Sequence, residues 1–211
     1  MTSDKSMTMP PRWAESLLRM LLSPADRDSV SGDLLEEYRE SVVPALGDRA
    51  DGWYLRQVAG YVLRKAALWG GLVGAILVTR YLLDTLAPVR YTPGVVHPRS
   101  AIMSYALMAT FALGSGLQAW RSGHVGSGVL VAFATATFGG ALSAAGTAAC
   151  LAMWHDPGTM SAVQTSGGLA EALWGVPLLL VPIGLITGAM GAIAGRLANA
   201  IVHRTLREAS Q

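Results

Sequence analysis

Charge is what this sequence has least of. Only 14% of its 211 residues are Asp, Glu, Lys or Arg, against roughly a quarter in ordinary globular chains. With 52% hydrophobic residues and a mean hydropathy of +0.40, the chain falls outside the usual range of a soluble domain. Cysteine occurs once, at Cys150, which excludes a disulfide scaffold and a Cys-rich metal site. The net charge of +2 leaves no concentrated basic face for nucleic acid. The four histidines, His97, His124, His155 and His203, are scattered without metal-ligand spacing. Asp156 and Glu171 stand at opposite ends of a Gly/Ser/Thr segment, which is not an acid/base pair. The sequence therefore assigns no catalytic, cofactor-binding or metal residue, and the expectation is a protein that is not an enzyme and has no cofactor.

The charge that is present is unevenly placed. Residues 1–65 hold 19 of the 30 charged side chains, and the 146 residues from 66 to 211 hold 11. This pattern predicts a small polar head followed by a part that lives in lipid. Residues 1–9 are polar and aperiodic and read as a disordered start, with no apolar run after Lys5 to make a signal peptide. Behind Pro10 and Pro11, Trp13, Leu17 and Leu21 recur at helical spacing, with Leu18 widening the stripe. Ser23 reads as an N-cap, with Pro24 in the first helical position and Asp26 reaching back. A second helix carries Val30, Leu34, Tyr38 and Val42 on one face and Asp33, Glu36, Glu37, Arg39 and Glu40 on the other, and stops at Pro44 and Gly47. A third starts near Asp51, groups Trp53, Tyr54, Val58 and Tyr61, and runs on towards the membrane. Residues 10–65 thus read as a three-helix domain. Three short helices bury little surface alone, so the exposed part of the stripe (Trp13, Leu17, Tyr38, Trp53 and Tyr54) is the candidate for docking a partner.

The blocks Pro10-Pro11-Arg12-Trp13-Ala14-Glu15-Ser16-Leu17-Leu18-Arg19, Pro24-Ala25-Asp26-Arg27, Gly32-Asp33-Leu34-Leu35-Glu36-Glu37-Tyr38-Arg39-Glu40 and Trp53-Tyr54-Leu55-Arg56-Gln57-Val58 together resemble the permease prefix domain of bacterial ABC exporters of the macrolide-exporter type. The resemblance covers roughly residues 10–65. In that family a long permease follows, with a large extracytoplasmic domain between its first two spans. Here the loops are too short for that domain, and no Walker-type phosphate loop occurs. What the resemblance implies is a neighbourhood, an ABC exporter or its regulation.

Four stretches are long and apolar enough to cross a bilayer, which takes about 20 residues at 1.5 Å each. They are approximately 66–87, 101–120, 128–154 and 172–195, a transmembrane domain over 66–196, followed by a tail over 197–211. Pro177 and Pro182 predict a kink in the fourth. Arg56, Arg64, Lys65, Arg121, Arg196, Arg204 and Arg207 flank one side, and only Arg90 and Arg99 the other. This bias predicts that both termini are cytoplasmic, in a bacterial inner membrane. Small residues recur at four-residue spacing: Gly70 and Gly74 in the first span; Ala136, Gly140 and Ala144 in the third; Gly184, Gly188, Gly191 and Gly195 in the fourth. Such stripes let helix backbones approach closely. Arg80 and Asp84, one turn apart in the first span, form a candidate intramembrane charge pair.

The fold class expected is all-α and polytopic, a short cytoplasmic helical head on a four-span helix bundle. The function expected is a non-enzymatic accessory or regulatory subunit that acts through protein contacts in the bilayer, with an ABC exporter the partner implied by the resemblance. A small oligomeric channel or carrier is the alternative, and a structural subunit of a larger membrane complex a further one.

Overall fold

A computed structural model describes residues 9–86, 97–153 and 170–209. Among these residues there are helices and the turns between them, and no strand. The first helix, α1, spans Arg12–Leu21. The turn after it is held by Ser23, whose Oγ donates to the Asp26 carboxylate at 2.6 Å and accepts from the Asp26 N–H at 3.2 Å. The Ser23–Asp26 pairing expected of a cap is present, but it organises a turn, and α2 begins only at Arg27 and runs Arg27–Glu37. It continues through a π-turn, Tyr38–Val42, into α3, Val43–Leu46. The wide turn lies just before Pro44 because proline has no N–H to donate and its ring collides with the carbonyl four residues back. Gly47, with φ +53, ends the run.

The next helix, α4, is a single rod, Ala50–Leu86, of 37 residues. It belongs to the head at one end and crosses the bundle at the other. Three more helices follow: α5, Pro98–Ser122; α6, Val125–Met153; and α7, Val176–Ala209. A second π-turn, Glu171–Gly175, precedes Pro177 as the first precedes Pro44. The helices α4 to α7 are each long and apolar enough to cross a membrane. Residues 197–209, read in sequence as a separate tail, are part of α7.

The head has its own core: Ala14 and Leu18 from α1, Leu22 just after it, Tyr38 and Val42 from the π-turn, and Ala50, Tyr54 and Val58 from α4. Tyr38 and Tyr54 meet edge to face, centroids 5.7 Å apart, an arrangement worth about 0.5–1.5 kcal/mol beyond area burial. Further along α4 a second buried face, Ala66, Gly70, Val73 and Leu77, is turned roughly 130° from the first at about 100° per residue.

In the bundle α5 and α6 form the central pair, with α4 on one side and α7 on the other. Glycines set the register. A Cβ built on Gly70 would meet Phe138, on Gly74 Leu142, and on Gly146 Val78, so α4 and α6 run parallel. The same construction on Gly191 meets Ala112 O and on Gly195 Gly116 O, so α5 and α7 run parallel. Gly188 against Ala132 and Gly184 against Ala136 set α6 and α7 antiparallel. Side chains fill the centre: Val73, Leu77, Leu107, Phe111, Ala136 and Leu180.

Candidate functional site at the junction of head and spans

The most elaborate polar arrangement among the described residues lies where the head meets the short turn between α5 and α6. Helix C-termini leave carbonyls unpaired and partly negative, and two such ends meet here. Gln118 of α5 donates from Nε2 to Leu21 O, the last carbonyl of α1, at 2.8 Å in a buried setting. Arg27 donates from Nε to Arg19 O at 2.9 Å and from Nη2 to Ser122 O at 3.3 Å. One guanidinium therefore bridges the end of α1 and the end of α5. His124 Nδ1 lies 2.8 Å from Ser122 O. A carbonyl only accepts, so Nδ1 carries the proton, and the 3.5 Å approach of Arg27 Nη2 to that nitrogen is a contact between two donors. Ser122 and Ser127 hydroxyls close the turn with bonds to each other and to the His124 backbone. Met20 Sδ lies 3.0 Å from where a Cβ on Gly126 would stand. Hydrogen bonds to charged groups contribute about 1.5–3 kcal/mol each and neutral ones about 1, so this cluster fixes the head on the bundle.

Of the docking residues proposed from sequence, the structure brings only part to the surface. Trp13 is 62% exposed, and Leu17 and Trp53 are half-buried. Tyr38 and Tyr54 are 3% and 0% exposed, so no partner reaches them, and the docking assignment is corrected at both. The reason is phase. The face of α1 that packs inward is Ala14, Leu18 and Leu21, one position on from Trp13 and Leu17. Trp13 instead borders an apolar groove of about 940 Å³ that runs from the head down α4 and α6 past Leu55, Leu63, Phe133 and Phe138.

Burial shapes the chemistry of the two inner tyrosines. Tyr38 is pushed up to about 12 by burial first, then by its hydrogen bond to Asp51 (2.6 Å) and that carboxylate's charge. Tyr54 is likewise pushed up to about 12, by burial and then by the Glu15 charge. Neither ionises near neutral pH, so both act as packing and hydrogen-bonding groups.

The helix-packing residues fall between helices of the one bundle. Gly70 and Gly74 admit Phe138 and Leu142; Gly140 faces Pro177; Gly184 faces Phe111 and Ala136; Gly188 admits Ala132; Gly191 and Gly195 lie on the α5 backbone; Ala144 is half-buried. The intramembrane pair divides. Arg80 is half-buried and engaged in an interaction, whereas the Asp84 side chain is outside the described residues. Arg99 donates to Leu83 O at 3.2 Å at that end of α4. Residues 1–8, Arg90, the connector around Pro93, His155, Asp156 and the Glu171 side chain also lie outside the described residues. Of the other histidines, His97 accepts from Arg99 N–H at 3.2 Å and caps α5, and His203 is exposed on α7. Among the described residues no three His, Cys, Asp or Glu side chains come together to hold a metal.

Sequence reading missed Gln118, Arg27 and Met20. One signal was available: Gln118 is the only carboxamide in the charge-free stretch 101–120, and a strongly polar side chain in a span asks for a partner. The α5 half of the α5–α7 contact was also missed, although Ala112 and Gly116 have the same four-residue spacing as Gly191 and Gly195.

Comparison of the chain with protein-family models, curated proteins and solved structures finds no match in any of the three.

Proposed function

We propose that this protein is a membrane-embedded accessory or regulatory subunit that acts through contacts and carries no catalytic chemistry of its own. The observation that carries the reading is Trp13, a tryptophan 62% exposed on a head fixed to the bundle by Gln118 and Arg27. Aromatic side chains held rigidly at the rim of an apolar groove are the usual anchors of protein interfaces. A cytoplasmic head, with both termini on that side of a bacterial inner membrane, is supported by the cations at its end of the bundle: Arg56, Arg64, Lys65, Arg121, Arg196, Arg204 and Arg207. The resemblance of residues 10–65 to the permease prefix domain favours an ABC exporter as the partner. The filled centre of the bundle speaks against a pore through one copy.

Purification of the tagged protein from its native cells in mild detergent, followed by mass spectrometry, tests this reading. A permease or ATPase in stoichiometric amount is expected, and Trp13→Ala should be inserted and folded yet lose it. Recovery of the protein only as a defined oligomer of itself would overturn the proposal.

A further inference from the structure

The last ten residues of α7 stand alone. Asn199 makes the final bond to the bundle, donating from Nδ2 to Trp120 O at 2.7 Å. Beyond it every residue from 200 to 209 is exposed, yet the segment is helical. A basic stripe runs along one side. Arg196, His203, Arg204 and Arg207 line an open groove of about 560 Å³ with Asn199 between them. Glu208, which also lines the groove, pairs with Arg204 at 3.0 Å. Flanking the stripe, Ile201 and Leu206 are each 62% exposed. From this we infer that the groove binds the phosphate of an anionic phospholipid headgroup, in the leaflet on the head's side of the membrane.

Position selects the ligand. Arg196 is the first charge after the charge-free stretch 172–195, long enough to cross the hydrocarbon, so the stripe begins at headgroup depth. Arginine's planar fork of donors fits phosphate oxygens. Asn199 and His203 follow at about 4.5 and 10.5 Å beyond Arg196, at 1.5 Å per residue, so the inner half of the groove stays within reach of the headgroups. Arg121, exposed at the end of α5 beside Trp120, adds charge at the same level. This site is independent of the partner proposed above.

The test uses the full-length protein in mixed detergent–lipid micelles, with retained lipid read by native mass spectrometry. Wild type is expected to keep phosphatidylglycerol in preference to phosphatidylcholine. Each cation near an anionic surface strengthens association about fivefold. The triple variant Arg196→Gln, Arg204→Gln, Arg207→Gln should therefore lower that preference by up to on the order of a hundredfold. A head triple, Arg12→Gln, Arg39→Gln, Arg49→Gln, should leave it unchanged and controls for total charge. Equal retention of the two lipids by wild type would overturn the inference, as would an unchanged preference in the α7 triple. Displacement of phosphatidylglycerol by millimolar inorganic phosphate would also overturn it, because the site would then take a soluble anion.

Discussion

Replacing Gly191 or Gly195 by alanine adds one methyl group where α5 leaves no room. A Cβ on Gly191 falls on the carbonyl oxygen of Ala112, and one on Gly195 falls on that of Gly116. These are backbone atoms inside a helix, so no rotamer change relieves the clash and the helices must part. Carbon–oxygen contacts of this kind need about 3.3 Å or more, which requires a local separation of about 1 Å. A radial gap of that size forfeits a quarter to a half of the dispersion between facing atoms. Each variant should lose about 2 kcal/mol, the middle of the range for overpacking a close-packed interior. Gly60 and Gly71 are the internal controls, because a Cβ there meets nothing within 4 Å. Gly60→Ala and Gly71→Ala should be neutral or more stable by up to about 1 kcal/mol from helix propensity. The assay is reversible unfolding of the purified protein by SDS in mixed micelles, followed by circular dichroism. The double variant should lose less than the sum, because the gap opened by one methyl partly accommodates the next. If Gly191→Ala proved as stable as Gly71→Ala, the close approach of α5 and α7 would be wrong.

The head should fail at alkaline pH. Tyr38 and Tyr54 are held protonated in the folded state, so the stability they contribute is complete below the ordinary tyrosine pKa of about 10 and is lost as pH rises through about 12; titration of all six tyrosines near 10 in the folded protein would contradict this. Gln118→Ala leaves Leu21 O buried without its donor and should cost about 1–3 kcal/mol, seen as faster hydrogen exchange across α1; unchanged exchange there would show that Gln118 does not secure the head. Gly47→Ala, at φ +53 and ψ −123, should destabilise by about 1–3 kcal/mol through backbone strain alone, read as a lowered melting temperature with contacts otherwise unchanged.

Much of this architecture was legible in the sequence because lipid imposes a coarse rule. Long charge-free stretches have few structures open to them, and four such stretches emerge as four apolar helices. The stop at Gly47 was legible too, since Pro44 and Gly47 leave a helix little choice. The phase of α1 was not. Ala14 carries no strong signal by itself, yet its small side chain faces the core while the larger Trp13 faces out. Periodicity ranks faces by hydrophobicity, whereas packing ranks them by fit. The partners of the small-residue stripes were equally hidden: the pattern marks a close approach without saying which helix approaches. The length of α7 was misread because its sequence becomes polar after Gly195 while its backbone stays helical.

The unbroken course of α4 has a mechanical consequence. One buried face serves the head through Tyr54 and Val58, and another, roughly 160° round the same rod at about 100° per residue, serves the seam with α6 through Gly70 and Gly74. Successive residues on a helix are about 100° apart, so swivelling the head by a single residue would carry both glycines off Phe138 and Leu142 and drive bulkier neighbours against them. Head and first long apolar helix therefore form one crankshaft keyed at two notches, and a force on the head is a force on the seam between α4 and α6.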